Sequence, residues 1–141
     1  MRPKHVFFIR GLFLIQCFLF TASDTGFELE PVSASQSSGV GWGGAAKQCI
    51  DGAGTNCHTG NDATPWLAID YGTSVTVQRV EIFNRRDCCG QRTRNVDVRI
   101  SDELPTSASQ MFSGGTLLGH FAGPGTNGQH IIILGQTQTV K

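Results

Sequence analysis

Two strand-like runs and the turn between them constrain this chain most. Asn95 to Ile100 alternates at a period of two, with Val96, Val98 and Ile100 on one side and Asn95, Asp97 and Arg99 on the other, as a half-buried strand requires. Val75 to Asn84 reads as a second strand, with Val75 and Val77 on one face and Val80 and Ile82 on the other. The change of phase near Gln78-Arg79 predicts a bulge, or burial on both faces. Between the runs lies Arg85-Arg86-Asp87-Cys88-Cys89-Gly90-Gln91-Arg92, two adjacent cysteines between arginines seven residues apart. A polar turn is a poor place for core residues. A guanidinium is a fixed fork of donors with no acceptor, suited to a ligand rich in acceptor oxygens. Adjacent cysteines in an oxidising compartment can close a very small disulfide ring, stiffening the turn and exposing a flat sulfur face. The turn reads as a rigid platform flanked by donors, which describes a binding site.

The rest of the chain is consistent with an all-β domain. Eighteen glycines, few aliphatic helix formers and scattered Thr, Ser and Val favour strands and many turns. Residues 24 to 48 read as an opening strand and then a loop, in which Trp42 among glycines is either a surface aromatic that meets a ligand or a plug over the end of the core. Cys49 to His58 is turn-rich; Asp51-Gly52 fits an Asx-turn without metal, or a loop whose oxygens coordinate calcium. Pro65 to Gly72 looks like a core strand closed by a glycine turn. Asp102 to Gln110 is expected to be a loop, Thr116 to Phe121 a short strand, Gly123 to Gly128 a glycine turn and His130 to Leu134 another strand. No useful helical periodicity appears. No closing strand is evident in the stretch from Gly135 to Lys141. The arginine-cysteine turn thus links two strands across the end of a sheet, where β-sandwiches carry binding loops.

The N-terminus reads differently. Met1 to Arg10 carries Arg2, Lys4 and Arg10; Gly11 to Phe20 is apolar except for Gln16; Thr21-Ala22-Ser23 offers small residues for cleavage. Residues 1–23 are therefore expected to be a secretory signal peptide, with an apolar run too short to span a bilayer, and residues 24–141 the domain. An uncleaved anchor is the alternative, since Arg10 interrupts the apolar region. Cleavage would leave eight basic against eleven acidic residues and four cysteines: Cys49, Cys57, Cys88 and Cys89. An even number in a secreted domain reads as disulfides. Whole-chain charge is balanced, eleven against eleven, which argues against nucleic-acid binding. A zinc cluster of these cysteines with His58 is disfavoured by secretion and by ligation through adjacent residues. No free thiolate stands beside His58 and no carboxylate pair stands out, so the expectation is a binding protein and not an enzyme.

With His58, Arg85, Cys88, Cys89 and Arg92 in view, the sequence resembles the F-type lectins, or fucolectins. That family's pattern is a histidine, a gap of about two dozen residues, then Arg-x-Asp-Cys-Cys-x-x-Arg; here His58 precedes Arg85 by 27 positions and every specified place in the second segment is filled. The resemblance covers roughly residues 30 to 141 and includes the Pro65-Trp66 pair. It implies a discoidin-like β-sandwich jelly roll that binds terminal L-fucose, often with a structural calcium; the leader implies secretion without membrane insertion, and the weakness of a single monosaccharide site implies homo-oligomers for avidity. It makes His58, Arg85 and Arg92 donors to the sugar and Cys88-Cys89 a vicinal disulfide under its ring. Val40 or Trp42 would wall the methyl group, and Gln48, Asp51 and Ala53 stand at the calcium-ligand positions. Asp87 is expected to orient an arginine or cap the turn.

Three departures follow from the same match. Arg86 replaces the usual glycine, and Gln91 stands where glutamate is frequent. The family's last strand, with a cysteine that would pair with Cys57 and further calcium ligands, is not found, so the domain is expected to be incomplete at its C-terminus and the calcium site weakened. Cys57 could turn to Cys49 instead. The alternative function is a discoidin-like adhesion or phospholipid-binding module with Trp42 as its exposed tip.

Overall fold

The computed structural model describes residues 6–10, 30–39, 44–51, 56–103 and 107–139. Among the described residues, seven strands form two sheets. β1 (Val6–Arg10), β2 (Ser33–Gln36), β3 (Trp66–Asp70), β5 (Val96–Ser101) and β6 (Thr116–Phe121) make one, in the order β2-β3-β1-β5-β6. β4 (Thr76–Phe83) and β7 (His130–Thr139) make the other. Leu67 and Ile69 of β3 and Val96, Val98 and Ile100 of β5 share one apolar cluster with Val77, Val80 and Ile82 of β4 and Ile131 and Ile133 of β7. Two sheets joined by one core make an all-β sandwich.

The alternation expected in β5 is present, with Val96, Val98 and Ile100 buried and the residues between them partly exposed. In β4 the register shifts between Val77 and Arg79. This bulge turns Val77, Val80 and Ile82 into the same core, which a regular strand would have split between two faces. Fully burying each such side chain contributes about 1.5–3 kcal/mol.

Two expectations need correction. The loop assigned to 102–110 ends in a helix, α1 (Ala108–Ser113), capped by the Ser107 hydroxyl, which accepts from the Gln110 N–H. It is too short to leave a periodic signal. The strand expected over His130 to Leu134 is longer than that: β7 continues to Thr139, opposite Thr76. Its polar Gln-Thr repeat carried no alternation to reveal this.

β1 lies between β3 and β5 and is antiparallel to both, with Val6 opposite Asp70 and Ser101 and Arg10 opposite Trp66 and Asp97. These residues belong to the stretch read as a leader, so the same segment carries a leader-like pattern and the central strand of a sheet. A chain lacking residues 1–23 would present two inner strand edges with unpaired N–H and C=O groups, an exposure that invites strand addition. Among the described residues, no helix is long and apolar enough to cross a membrane.

Candidate functional site

Strand register brings the relevant loops to one end of the five-stranded sheet. Trp66 at the start of β3 and Asp97 near the start of β5 both pair with Arg10. The loop entering β3, which carries His58, and the loop entering β5, which carries Arg85 to Arg92, therefore emerge on the same side, one strand apart. At the usual strand spacing that is about 10 Å. Leu67 faces Gln36 at the end of β2, and Val96 faces Phe121 at the end of β6, so the segments after Gln36 and after Phe121 emerge there as well.

Asn84 organises the arginine turn. It is 1% exposed, and its side-chain amide donates to the Gly90 and Thr126 carbonyls, both at 2.9 Å. Its oxygen accepts from the Arg85 N–H at 3.0 Å and the Thr93 hydroxyl at 2.8 Å. Both donors and both lone pairs are thus used, the condition under which a buried amide stabilises its surroundings. The Gly90 N–H donates to Asn127 Oδ1 at 2.8 Å, and the Gly128 N–H to the Arg85 carbonyl at 2.7 Å. These bonds lace the turn to the segment 123–128. Gly90 is required by contact, since a Cβ there would lie 2.4 Å from the Thr126 carbonyl carbon. Asn84, Thr93 and Asn127 were missed by sequence reasoning; an asparagine ending a strand before a Gly-containing turn was the available signal.

On this base stands the Cys88–Cys89 disulfide, both residues partly exposed and Cys89 left-handed at φ 66°. Arg85 Nε donates to Asp87 Oδ1, and its NH2 group donates to Oδ2 at 2.6 Å. This two-point clamp fixes the guanidinium and leaves the remaining N–H groups for a ligand. The clamp's hydrogen bond raises the Arg85 pKa and, as the largest cause, lowers that of Asp87 from 3.8 to about 2. Asp87 does orient an arginine. Arg92, at the end of a short 3-10 turn (Gly90–Arg92), is exposed.

His58 is anchored separately. Its backbone N–H donates to the Gly44 carbonyl at 3.0 Å, and its carbonyl accepts from Gln36 Nε2 at 2.9 Å. A Cβ on Gly44, whose φ is +82°, would lie 2.5 Å from the imidazole, so the ring rests on bare backbone. Asp62 steadies this loop by accepting from the Ser37 and Ser38 hydroxyls, each at 2.6 Å, while Ser38 Oγ accepts from the Gly60 N–H at 2.8 Å. His58 Nδ1 lies 3.2 Å from the Thr59 carbonyl. A carbonyl only accepts, so Nδ1 is the donor and Nε2 of the neutral ring is an acceptor. The donor role expected of His58 holds at Nε2 only for the imidazolium; the neutral ring would accept from a hydroxyl. Among the described residues, no hydrogen bond joins His58 to the arginine turn; the sheet, not a contact, sets their relation.

Cys49 and Cys57 form the second disulfide, with Cα atoms 5.2 Å apart and both residues buried. Gln48, Asp51 and Ala53 are the residues expected to hold calcium. The Gln48 side-chain oxygen accepts from the Gly44 N–H at 2.6 Å, and among the described residues no three His, Cys, Asp or Glu side chains converge as a metal site. Asp51 is exposed. Ala53, Val40 and Trp42 lie outside the described residues.

A family model described as the NedA-like, galactose-binding domain matches residues 48–131, more than half the chain. The chain belongs to this family. The matched span holds the His58 loop, the arginine turn and the core strands between them. The chain is 36% identical to a pentraxin fusion protein of Xenopus laevis over 74 residues, 48% of this chain and 18% of that protein. It is 33% identical to a fucolectin of Anguilla anguilla over 54 residues, covering 38% and 34% of the two chains. It is 34% identical to fucolectin-5 of Anguilla japonica over 82 residues, covering 50% and 43%. These matches support an F-type lectin-like domain, and the chain spans less than half the length of each of these relatives. No solved structure matches the chain at a significant level.

Proposed function

We propose that this domain is a secreted lectin that recognises terminal L-fucose on glycans and binds it without chemistry. The observation that carries the reading is the partly exposed Cys88–Cys89 disulfide set between Arg85, held in place by Asp87, and the exposed Arg92. Guanidinium groups give charge-assisted bonds to ring and hydroxyl oxygens. The disulfide offers the sugar's carbon–hydrogen face a rest with no rotatable side chain to order, which matters because a monosaccharide gains little by burial. His58, in the loop emerging at the same end of the sheet, would meet a further hydroxyl through Nε2. The names of the eel relatives point the same way. One site holds a monosaccharide weakly, so glycan recognition in innate defence would draw on homo-oligomers.

The direct test is retention of the oxidised protein on fucose-agarose with elution by free L-fucose. Loss of retention on Arg85→Ala and on mild reduction is the expected result. A folded wild-type protein that passes through the column would sink the lectin reading.

A further inference from the structure

The arginine turn carries more positive charge than a neutral sugar requires. Residues 85–94 hold Arg85, Arg86, Arg92 and Arg94 against Asp87 alone, in a chain whose charges balance as a whole. Asp87 is already occupied by Arg85. Three other described carboxylates are engaged elsewhere: Asp62 with Ser37 and Ser38, Asp97 with His120 at 2.7 Å, and Glu81 with Arg79 at 2.7 Å and His130 at 2.6 Å. The segment 122–129, laced to the turn, has no acidic residue. Arg86, Arg92 and Arg94 are all exposed, and among the described residues none of the three has a side-chain partner. Arg86 is placed most usefully. It adjoins the clamped Arg85, and its stem runs beside Gly128, where a Cβ would stand 3.5 Å from Arg86 Cγ. The stem is thereby backed by the 123–128 segment, and the residue is exposed two positions before the disulfide.

We propose that Arg86 forms an anion-reading subsite beside the fucose platform, so that the preferred ligand is a fucosylated glycan carrying a sulfate ester or a carboxylate on a neighbouring sugar. The inference rests on the fucose reading and adds the class of glycan to it. Both anions present oxygens that a guanidinium grips in bidentate fashion, and the one carboxylate in the turn, Asp87, is held by Arg85. Because the pair is solvent-exposed, its effect is modest and salt-sensitive.

The test compares four immobilised glycans: a neutral fucosylated one, its sulfated form, its sialylated form, and the sulfated glycan without fucose. The wild-type protein is expected to bind one or both charged fucosylated forms roughly three- to tenfold more tightly than the neutral one, as one exposed charge-assisted contact allows. Which form gains identifies the source of the anion. Arg86→Gln should abolish the gain, keep neutral fucose binding, and match the wild type at high salt. Equal binding of neutral and charged forms by a protein that retains fucose overturns the subsite alone. So does an undiminished gain in Arg86→Gln, or equally tight binding of the sulfated glycan without fucose. Failure to bind the neutral fucosylated glycan overturns the fucose reading, and the subsite falls with it.

Discussion

The two disulfides tie loops at the same end of the sheet, yet they do different work. Cys49–Cys57 is buried in the apolar core and closes a loop between residues eight apart. Cys88–Cys89 joins neighbours, is partly exposed, and closes almost no chain. A cross-link that encloses little sequence removes little entropy from the unfolded chain. The second bond therefore contributes shape, and the fixity of its turn comes from hydrogen bonds, chiefly those of Asn84.

That division predicts that a side chain with no sulfur matters most to the stability of the arginine turn. Asn84→Ala would strand the Gly90 carbonyl and the Thr93 hydroxyl in a buried setting and remove the bond to the Thr126 carbonyl, a loss of about 3 kcal/mol at the scale of unsatisfied buried groups. Urea unfolding would measure it. A loss near zero would mean that the disulfide, not the amide, holds the turn.

The Cys49→Ser/Cys57→Ser pair of substitutions should come next, at about 2.5 kcal/mol from loop entropy, and should leave fucose retention intact once the protein is folded. Cys88→Ser/Cys89→Ser should cost only about 1 kcal/mol by the same reckoning and yet abolish retention. Opposite effects on stability and binding define the contrast. Parallel effects would erase it.

What the sequence disclosed follows the same line. The bulge in β4, the strands over Val96–Ser101 and Thr116–Phe121 and the arginine platform were legible because alternation and turn residues are local signals. The bonds that fix the platform were not, because Asn84 reaches Thr126 across more than forty residues, and nothing in either neighbourhood marks the other. The central place of Val6–Arg10 was hidden for another reason. A short apolar run without alternation does not mark itself as a strand, and its partners in β3 and β5 lie about sixty and about ninety residues away. The helix at Ala108–Ser113 and the polar end of β7 were missed because one is too short and the other too uniform to show a period.

The smallest expected effect on stability tests the finest part of the contrast, the clamp on Arg85. Asp87 is exposed, so its bond to Arg85 adds little to folding, but it fixes where the guanidinium points. A carboxylate whose folded pKa is depressed contributes its stabilisation above the unfolded value, about 4, and loses it as pH falls through the folded value, here about 2. The clamp is thus intact at every pH above about 4 and opens only in stronger acid. Asp87→Asn removes the charge at all pH values. It should leave the urea midpoint unchanged while weakening fucose binding roughly three- to tenfold, the cost of ordering a freed arginine on binding. Wild-type binding should therefore hold through this group down to about pH 3 and weaken only as the pH nears about 2, while Asp87→Asn starts weak and lacks that component. If the variant binds as tightly as the wild type, Arg85 needs no orienting partner, and the platform's geometry resides in its backbone alone.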